Sequence, residues 1–446
     1  MLKKAKVRLL TRAAHCRRCM FASVYRAATV REPVPNDLFS SLLGEVYGVF
    51  SRRVRQVLFS TALGLAGVGL ATAQTQFPAT RDGGYWVRTV QGRVEAGDRL
   101  RVETTGNVTL RGTGAQQTTY TLTLRVRAGN AREAEALLDR FSVKTGAEGG
   151  WAYLKVTPPR LVSPGLELTV TGPRALRRVL AETLGGDIHA SGWDGDFEAR
   201  SSGGRIAVDS IRGRCELRTE GGDIEVGSVG GAVRCFSGGG AIRVDNVGGA
   251  AWLETSGGEI FVRQARGPVQ ASTGGGNIRI ERAGNTVFAR TAGGLIQVQQ
   301  ADGPVTAQSS GGAIQVNSAN GVRCESAGGA IRLRNVAGSV HAFANSGSIL
   351  AELVSGGASG HGMSDSILST NAGDITVLIP SNLALRVEAS DESGGSGGIH
   401  SDFAQVRMQA GGAQGGPVTA QGALNGGGPL LRVNAMGGTI YLRQTK

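Results

Sequence analysis

The chain has 446 residues, of which 71 are glycine and only 5% are aromatic, and its formal net charge is +13. Abundant glycine with few aromatics argues against a thick globular core and suits a thin, repetitive one. The basic excess sits mainly in the first 56 residues, which hold 12 of the 48 Lys/Arg and 3 of the 35 Asp/Glu. The remainder is near balance, so no nucleic acid is expected as its partner.

Residues 1–51 form a basic extension containing His15-Cys-Arg-Arg-Cys19. One CxxC without a second pair is a weak metal or redox signal. Arg52, Arg53 and Arg55 then precede an uncharged apolar run over 57–71, and Ala71-Thr72-Ala73 fits a small-x-small cleavage site before Gln74. These are the three regions of a secretory signal peptide, assigned to 52–73. The run is short for a membrane span, and no cysteine stands at the cleavage site to carry a lipid. Membrane attachment is expected only through this segment, if it stays uncleaved. A translation start nearer Val46, Val49 or Val54 is one account of the unusual extension. The expected location is exported: periplasm, cell surface or secreted.

Residues 74–184 are predicted to form a β-rich cap. Strands are expected at 85–90, 100–104, 107–110, 118–127, 151–156 and 166–170, bounded by turn residues. One short amphipathic helix is expected at 131–141, with Leu137, Leu138 and Phe141 on its apolar side. A stacked rod needs such a cap to close its open end.

Over 185–380 a glycine pair returns every eighteen residues, as Gly203-Gly204, Gly221-Gly222, Gly239-Gly240, Gly257-Gly258 and so on to Gly311-Gly312. Each pair is followed by one residue, an Ile, any residue and an aliphatic, as in Ile242 and Val244. A weaker copy lies nine residues on, as in Ala251 and Leu253. Alternation over so short a span is strand periodicity, and the glycines are expected to supply backbone freedom at sharp corners. One eighteen-residue repeat therefore predicts one coil of two short strands. Coils stacked about 4.8 Å apart give a rod about 43 Å long over nine steps. The column Ile206, Ile224, Ile242, Ile260, Ile278, Ile296, Ile314 and Ile331 should face inward. No single coil could bury that face alone.

A second column holds Ser201, Thr219, Ser237, Thr255, Thr273, Thr291, Ser309 and Ser326. Beside glycine corners it is read as a structural hydroxyl ladder rather than an ice- or glycan-binding array. Cys215, Cys235 and Cys324 fall at inward positions, with Cys215 over Val233, so they are expected to be buried and unbridged. Residues 381–446 are predicted to form a C-terminal β cap with Gly/Ser-rich loops, in which 430–433 and 439–442 make a closing pair of strands.

The unit Thr255-Ser-Gly-Gly-Glu-Ile-Phe-Val262, with Gly373-Asp-Ile-Thr-Val-Leu-Ile-Pro380 and Leu424-Asn-Gly-Gly-Gly428 followed by Gly437-Gly-Thr-Ile-Tyr-Leu442, resembles the bacterial putative-adhesin β-strand-repeat family, or toast-rack domain, a domain of unknown function. The resemblance spans roughly residues 95–446. It implies an all-β protein, a right-handed parallel β-helix or solenoid exported from the cytoplasm, without catalytic residues or cofactor. The missing cysteine at the cleavage site departs from the lipid-anchored relatives.

Three functions follow from these features. The first is an exported, non-enzymatic, adhesin-like or cell-envelope scaffold that binds an envelope protein or glycan. Trp252, Phe261 and Phe288 should point outward, with Arg234 and Arg243 one coil before the first two. These five residues are the expected partner-contact patch. The alternative is a carbohydrate-active β-helix enzyme, which needs carboxylates converging beside a groove. Glu216, Glu225 and Glu254 are instead dispersed by register, and Asp194, Asp196, Asp209, Asp223 and Asp245 fall at corners or strand edges. A calcium roll is excluded, because the sixth position of each unit is aliphatic or Cys instead of Asp. No catalytic residue, metal or cofactor is expected.

Overall fold

The computed structural model describes residues 74–159, 165–354, 362–393, 398–409 and 416–445. The basic extension, its CxxC and the signal segment lie outside these residues.

The eighteen-residue repeat builds two parallel sheets. In the first, Cys215–Thr219, Val233–Ser237, Ala251–Thr255, Val269–Thr273 and Val287–Thr291 pair one after another, so that Val233 faces Ala251 and Ala251 faces Val269. In the second, Ile224–Val229, Ile242–Val247, Ile260–Ala265, Ile278–Ala283 and Ile296–Ala301 pair likewise. Alternate residues of each strand point between the sheets. The isoleucine column from Ile206 to Ile331 is at most 1% exposed and continues through Ile349, Ile375 and Ile440. Each of these side chains contributes about 1.5–3 kcal/mol by burial.

The two half-repeats are not equivalent. Second-sheet strands carry an extra inward residue after a two-residue outward step, giving a third buried column of Val229, Val247, Ala265, Ala283 and Ala301. The wall therefore bends within each of these strands.

The hydroxyl column is structural. Thr219 Oγ1 donates to the carbonyl of Gly204 in the preceding coil at 2.9 Å and accepts from the backbone N–H of Gly222 in its own coil at 3.1 Å. Ser237, Thr255, Thr273 and Thr291 repeat both bonds. Each hydroxyl thus satisfies two backbone groups at a buried corner, one of them in another coil.

The glycines need a different explanation from the one expected. None of the paired glycines from Gly203-Gly204 to Gly311-Gly312 has a left-handed φ. The second glycine of each pair is required by close approach: a Cβ on Gly204, Gly222, Gly240, Gly258, Gly276 or Gly294 would lie 2.0–2.2 Å from the glycine carbonyl of the coil before. The first glycine of the pair faces open space at Gly203, Gly221, Gly239 and Gly275.

At both ends the stacking order departs from the chain order. Arg99–Thr104 and Asn107–Thr113 already form a coil, which lies between two later ones. Arg178–Thr183 and Ile188–Ser191 pair on one side of it, and Trp151–Thr157 and Gly165–Pro173 on the other, all in parallel. Antiparallel strands then close this end, with Ser142–Glu148 on the first sheet and Thr119–Val126 followed by Tyr85–Arg93 on the second. The helix Ala131–Leu138 packs here through Ala134 and Leu138, and the Asn130 side chain caps it by accepting from the Glu133 N–H. At the C-terminal end, Leu430–Ala435 and Ile440–Thr445 insert between the coil of Ser366–Thr370 and Ile375–Pro380 and the coil of Leu385–Asp391 and Ile399–Ser401. The expected closing pair is therefore last in sequence but not in space. Its hydrophobic pattern fits a slot flanked on both sides better than an open end.

Candidate functional surface

The outward positions of the first sheet form columns along the rod. One runs Glu216, Arg234, Trp252, Gln270, Phe288 and Thr306 in consecutive coils. Trp252 is 41% exposed, with the polar Arg234 and Gln270 on either side of it in the register. Arg234 lies directly beside it in the register. The two help line an open groove of about 400 Å³ with Arg178, Asp196, Arg214 and Glu216. Phe288, half-buried, follows two coils beyond Trp252, about 10 Å along the axis.

Arg243 and Phe261 are adjacent on the second sheet, with the guanidinium 5.1 Å from the ring centroid. The structure thus brings Arg234 and Trp252 together and aligns Phe288 with them, while Arg243 and Phe261 form a separate pair on the other sheet. Sequence reasoning missed Phe236, which lies under the Arg218 guanidinium at 4.5 Å in the neighbouring column of the first sheet. Its outward position, three residues before Gly239-Gly240, carried that signal. Further along the same sheet Phe343 and Ile367 are 43% and 39% exposed. They lie beyond the regular repeat, where outward positions were not assigned.

The carboxylates are mostly engaged in structural bonds. Asp194 pairs with Arg174 at 3.2 Å and Arg212 at 3.1 Å. Asp209 accepts from the Ser228 N–H and Ser210 hydroxyl, Asp223 from the Ala241 N–H, and Glu225 pairs with Arg205. Asp245 pairs with Arg263 at 3.0 Å. Burial pushes the Asp196 carboxyl up, but hydrogen bonds from the Arg214 backbone and guanidinium, with the charges of Arg214 and Arg178, outweigh it and hold the group below its ordinary value. Glu216 and Glu254 stand two coils apart in different columns. Among the described residues no group of three or more His, Cys, Asp or Glu is placed to hold a metal.

The three described cysteines are buried free thiols. Burial, with a smaller contribution from Asp196, pushes Cys215 up to about 12, and burial likewise raises Cys235 and Cys324. They are poor nucleophiles.

No family model matches the chain, and no curated protein matches it. Among solved structures, a putative adhesin from Bacteroides fragilis matches at 15% identity, with 55% of this chain and 95% of that one covered and a TM-score of 0.31. A putative cell adhesion protein from Clostridium sporogenes matches at 10% identity over 80% and 100%, with a TM-score of 0.17. A putative lipid binding protein from Parabacteroides distasonis matches at 15% over 66% and 97%, with a TM-score of 0.26. At these scores the likenesses carry no argument about this chain's ligand.

Proposed function

We propose that the protein is an exported, non-catalytic β-solenoid acting as an adhesin-like binding module of the cell envelope. Its contact centres on Trp252 and Arg234, with Phe288 on the same sheet and Arg243 and Phe261 around the corner. The observation that carries this reading is the exposed indole of Trp252 beside Arg234, on a sheet whose backbone is already fully paired by its neighbours. Rigid aromatic and arginine side chains on a pre-formed surface are what a binding anchor requires, since little ordering is lost on contact. The enzyme alternative is disfavoured by the engagement of Asp194, Asp196, Asp209, Asp223 and Asp245 in bonds between coils, which ties up the aspartates that could have served as acid or base. Export rests on the signal segment read from the sequence.

The test is retention of the mature protein on purified cell envelopes. Trp252→Ala with Phe288→Ala should leave the fold intact and weaken retention. Retention equal to that of the unmodified protein would remove this surface as the contact.

A further inference from the structure

We infer that the second sheet carries a separate binding surface for an acidic polysaccharide. Two outward columns lie side by side there. One runs Arg279, Gln297, Gln315 and Arg332 through consecutive coils. The other, two residues along each strand, places Gln299 and Asn317 beside those glutamines and Arg334 beside Arg332. Four carboxamides thus form a tile two coils deep, with arginine on either side along the rod. Arg282 borders the tile on the adjoining wall, next to Gln300.

Only part of the tile is a structural carboxamide ladder. Asn317 Nδ2 donates to Gln299 Oε1, so one pair does staple its coils. Gln297 and Gln315 face each other in the register but have no side-chain partner among the described residues. Their donors and acceptors are free, as a sugar's hydroxyls would need.

The charge pattern selects the ligand. Arg282, Arg332 and Arg334 are exposed and have no carboxylate partner among the described residues. Glu281 is taken by Arg279 at 3.8 Å, and Asp302 accepts from Gln300. Glu352 lies in the coil after Arg334 and is not within ion-pair distance of it. A hydrogen bond from a neutral amide leaves Asp302 charged, so Arg279 and Arg282 are balanced by Glu281 and Asp302 at one end, and the cationic excess lies at the Arg332 and Arg334 end, with neutral amides between, over three coil steps or about 14 Å. Guanidinium groups bind carboxylate, sulfate or phosphate in forked geometry, and the amides suit the uncharged parts of a sugar chain lying along the rod. No large hydrophobic side chain is exposed on this tile, so the surface lacks the apolar component that docking to a lipid surface uses.

The test uses the full mature chain with polygalacturonate, with dextran as the neutral glycan and with phosphatidylglycerol vesicles. Polygalacturonate should bind, more weakly as salt rises, and dextran and vesicles should not. Arg282→Gln with Arg332→Gln and Arg334→Gln should weaken binding about ten- to hundredfold. Arg332→Lys with Arg334→Lys, which keeps the charge but loses the forked geometry, should weaken binding less than the triple Gln variant does. Gln297→Ala with Gln315→Ala should weaken binding without changing its salt dependence. Trp252→Ala with Phe288→Ala should leave polygalacturonate binding unchanged, which separates this surface from the envelope contact. The inference is overturned if polygalacturonate does not bind, if dextran binds equally, if the triple Arg variant binds normally, or if the vesicles bind and the polysaccharide does not.

Discussion

The two glycines of one pair should respond oppositely to the same substitution. A Cβ at Gly258 would stand 2.1 Å from the Gly240 carbonyl oxygen and 2.4 Å from its carbon. Relief to an ordinary contact requires the coils to separate by about 1 Å at that corner, an overpacking strain of about 1–3 kcal/mol. The same movement pulls apart the Thr255 hydroxyl and Gly240 carbonyl, now at 2.8 Å. A buried hydrogen bond lost there adds about 1 kcal/mol. Gly258→Ala should therefore cost about 2–4 kcal/mol. The nearest atom to a Cβ at Gly257 is 3.9 Å away, and that residue's φ is not left-handed. Gly257→Ala should be neutral or stabilise by about 0.4–1 kcal/mol through the unfolded chain. Urea denaturation of the two variants, compared at equal slope, measures the difference. Equal midpoints would refute the close-approach explanation of the repeat glycine.

Ile260 is wholly buried, so Ile260→Asp should place an unpaired carboxylate between coils and lower stability by several kcal/mol, of the order of 2–7; an unchanged denaturation midpoint would show that the inward register is wrong. Asp196 is held below its ordinary value of 3.8, so the stability it contributes is present above that pH and is lost as pH falls through its folded value. Asp196→Asn should thus be less stable than the unmodified protein near neutrality, with the gap closing below about pH 4; a gap independent of pH would contradict the Arg214 contact. Cys215, Cys235 and Cys324 should resist a thiol reagent in native buffer and react once denaturant is added, whereas rapid native labelling would contradict their burial.

The middle of the rod was legible because three periodic signals coincide there. Glycine pairs mark corners, isoleucines mark the core, and hydroxyls mark the bonds between coils. The register of Cys215 over Val233 follows from the period alone and is observed. The ends were not legible in the same way. Arg99–Thr104 pairs with Trp151–Thr157 and Arg178–Thr183, partners far along the chain, and no repeat length reveals such a choice. The reason for the glycines was also hidden, since composition cannot separate a residue chosen for its φ from one chosen for the absence of a Cβ. Of the expected contact residues, the outward position of Trp252 could be read from the alternation. That Arg243 and Phe261 stack on each other on the opposite sheet depends on side-chain placement.

Oxidative footprinting of Trp252, with and without purified cell envelopes, tests the proposed contact most directly. Trp252 is 41% exposed and Trp193 is wholly buried, so the second serves as an internal reference in the same molecule. Trp252 should be labelled in the free protein and protected when envelopes are present, while Trp193 stays unlabelled in both. Envelope-bound protein in which Trp252 is labelled as readily as in the free protein would contradict it.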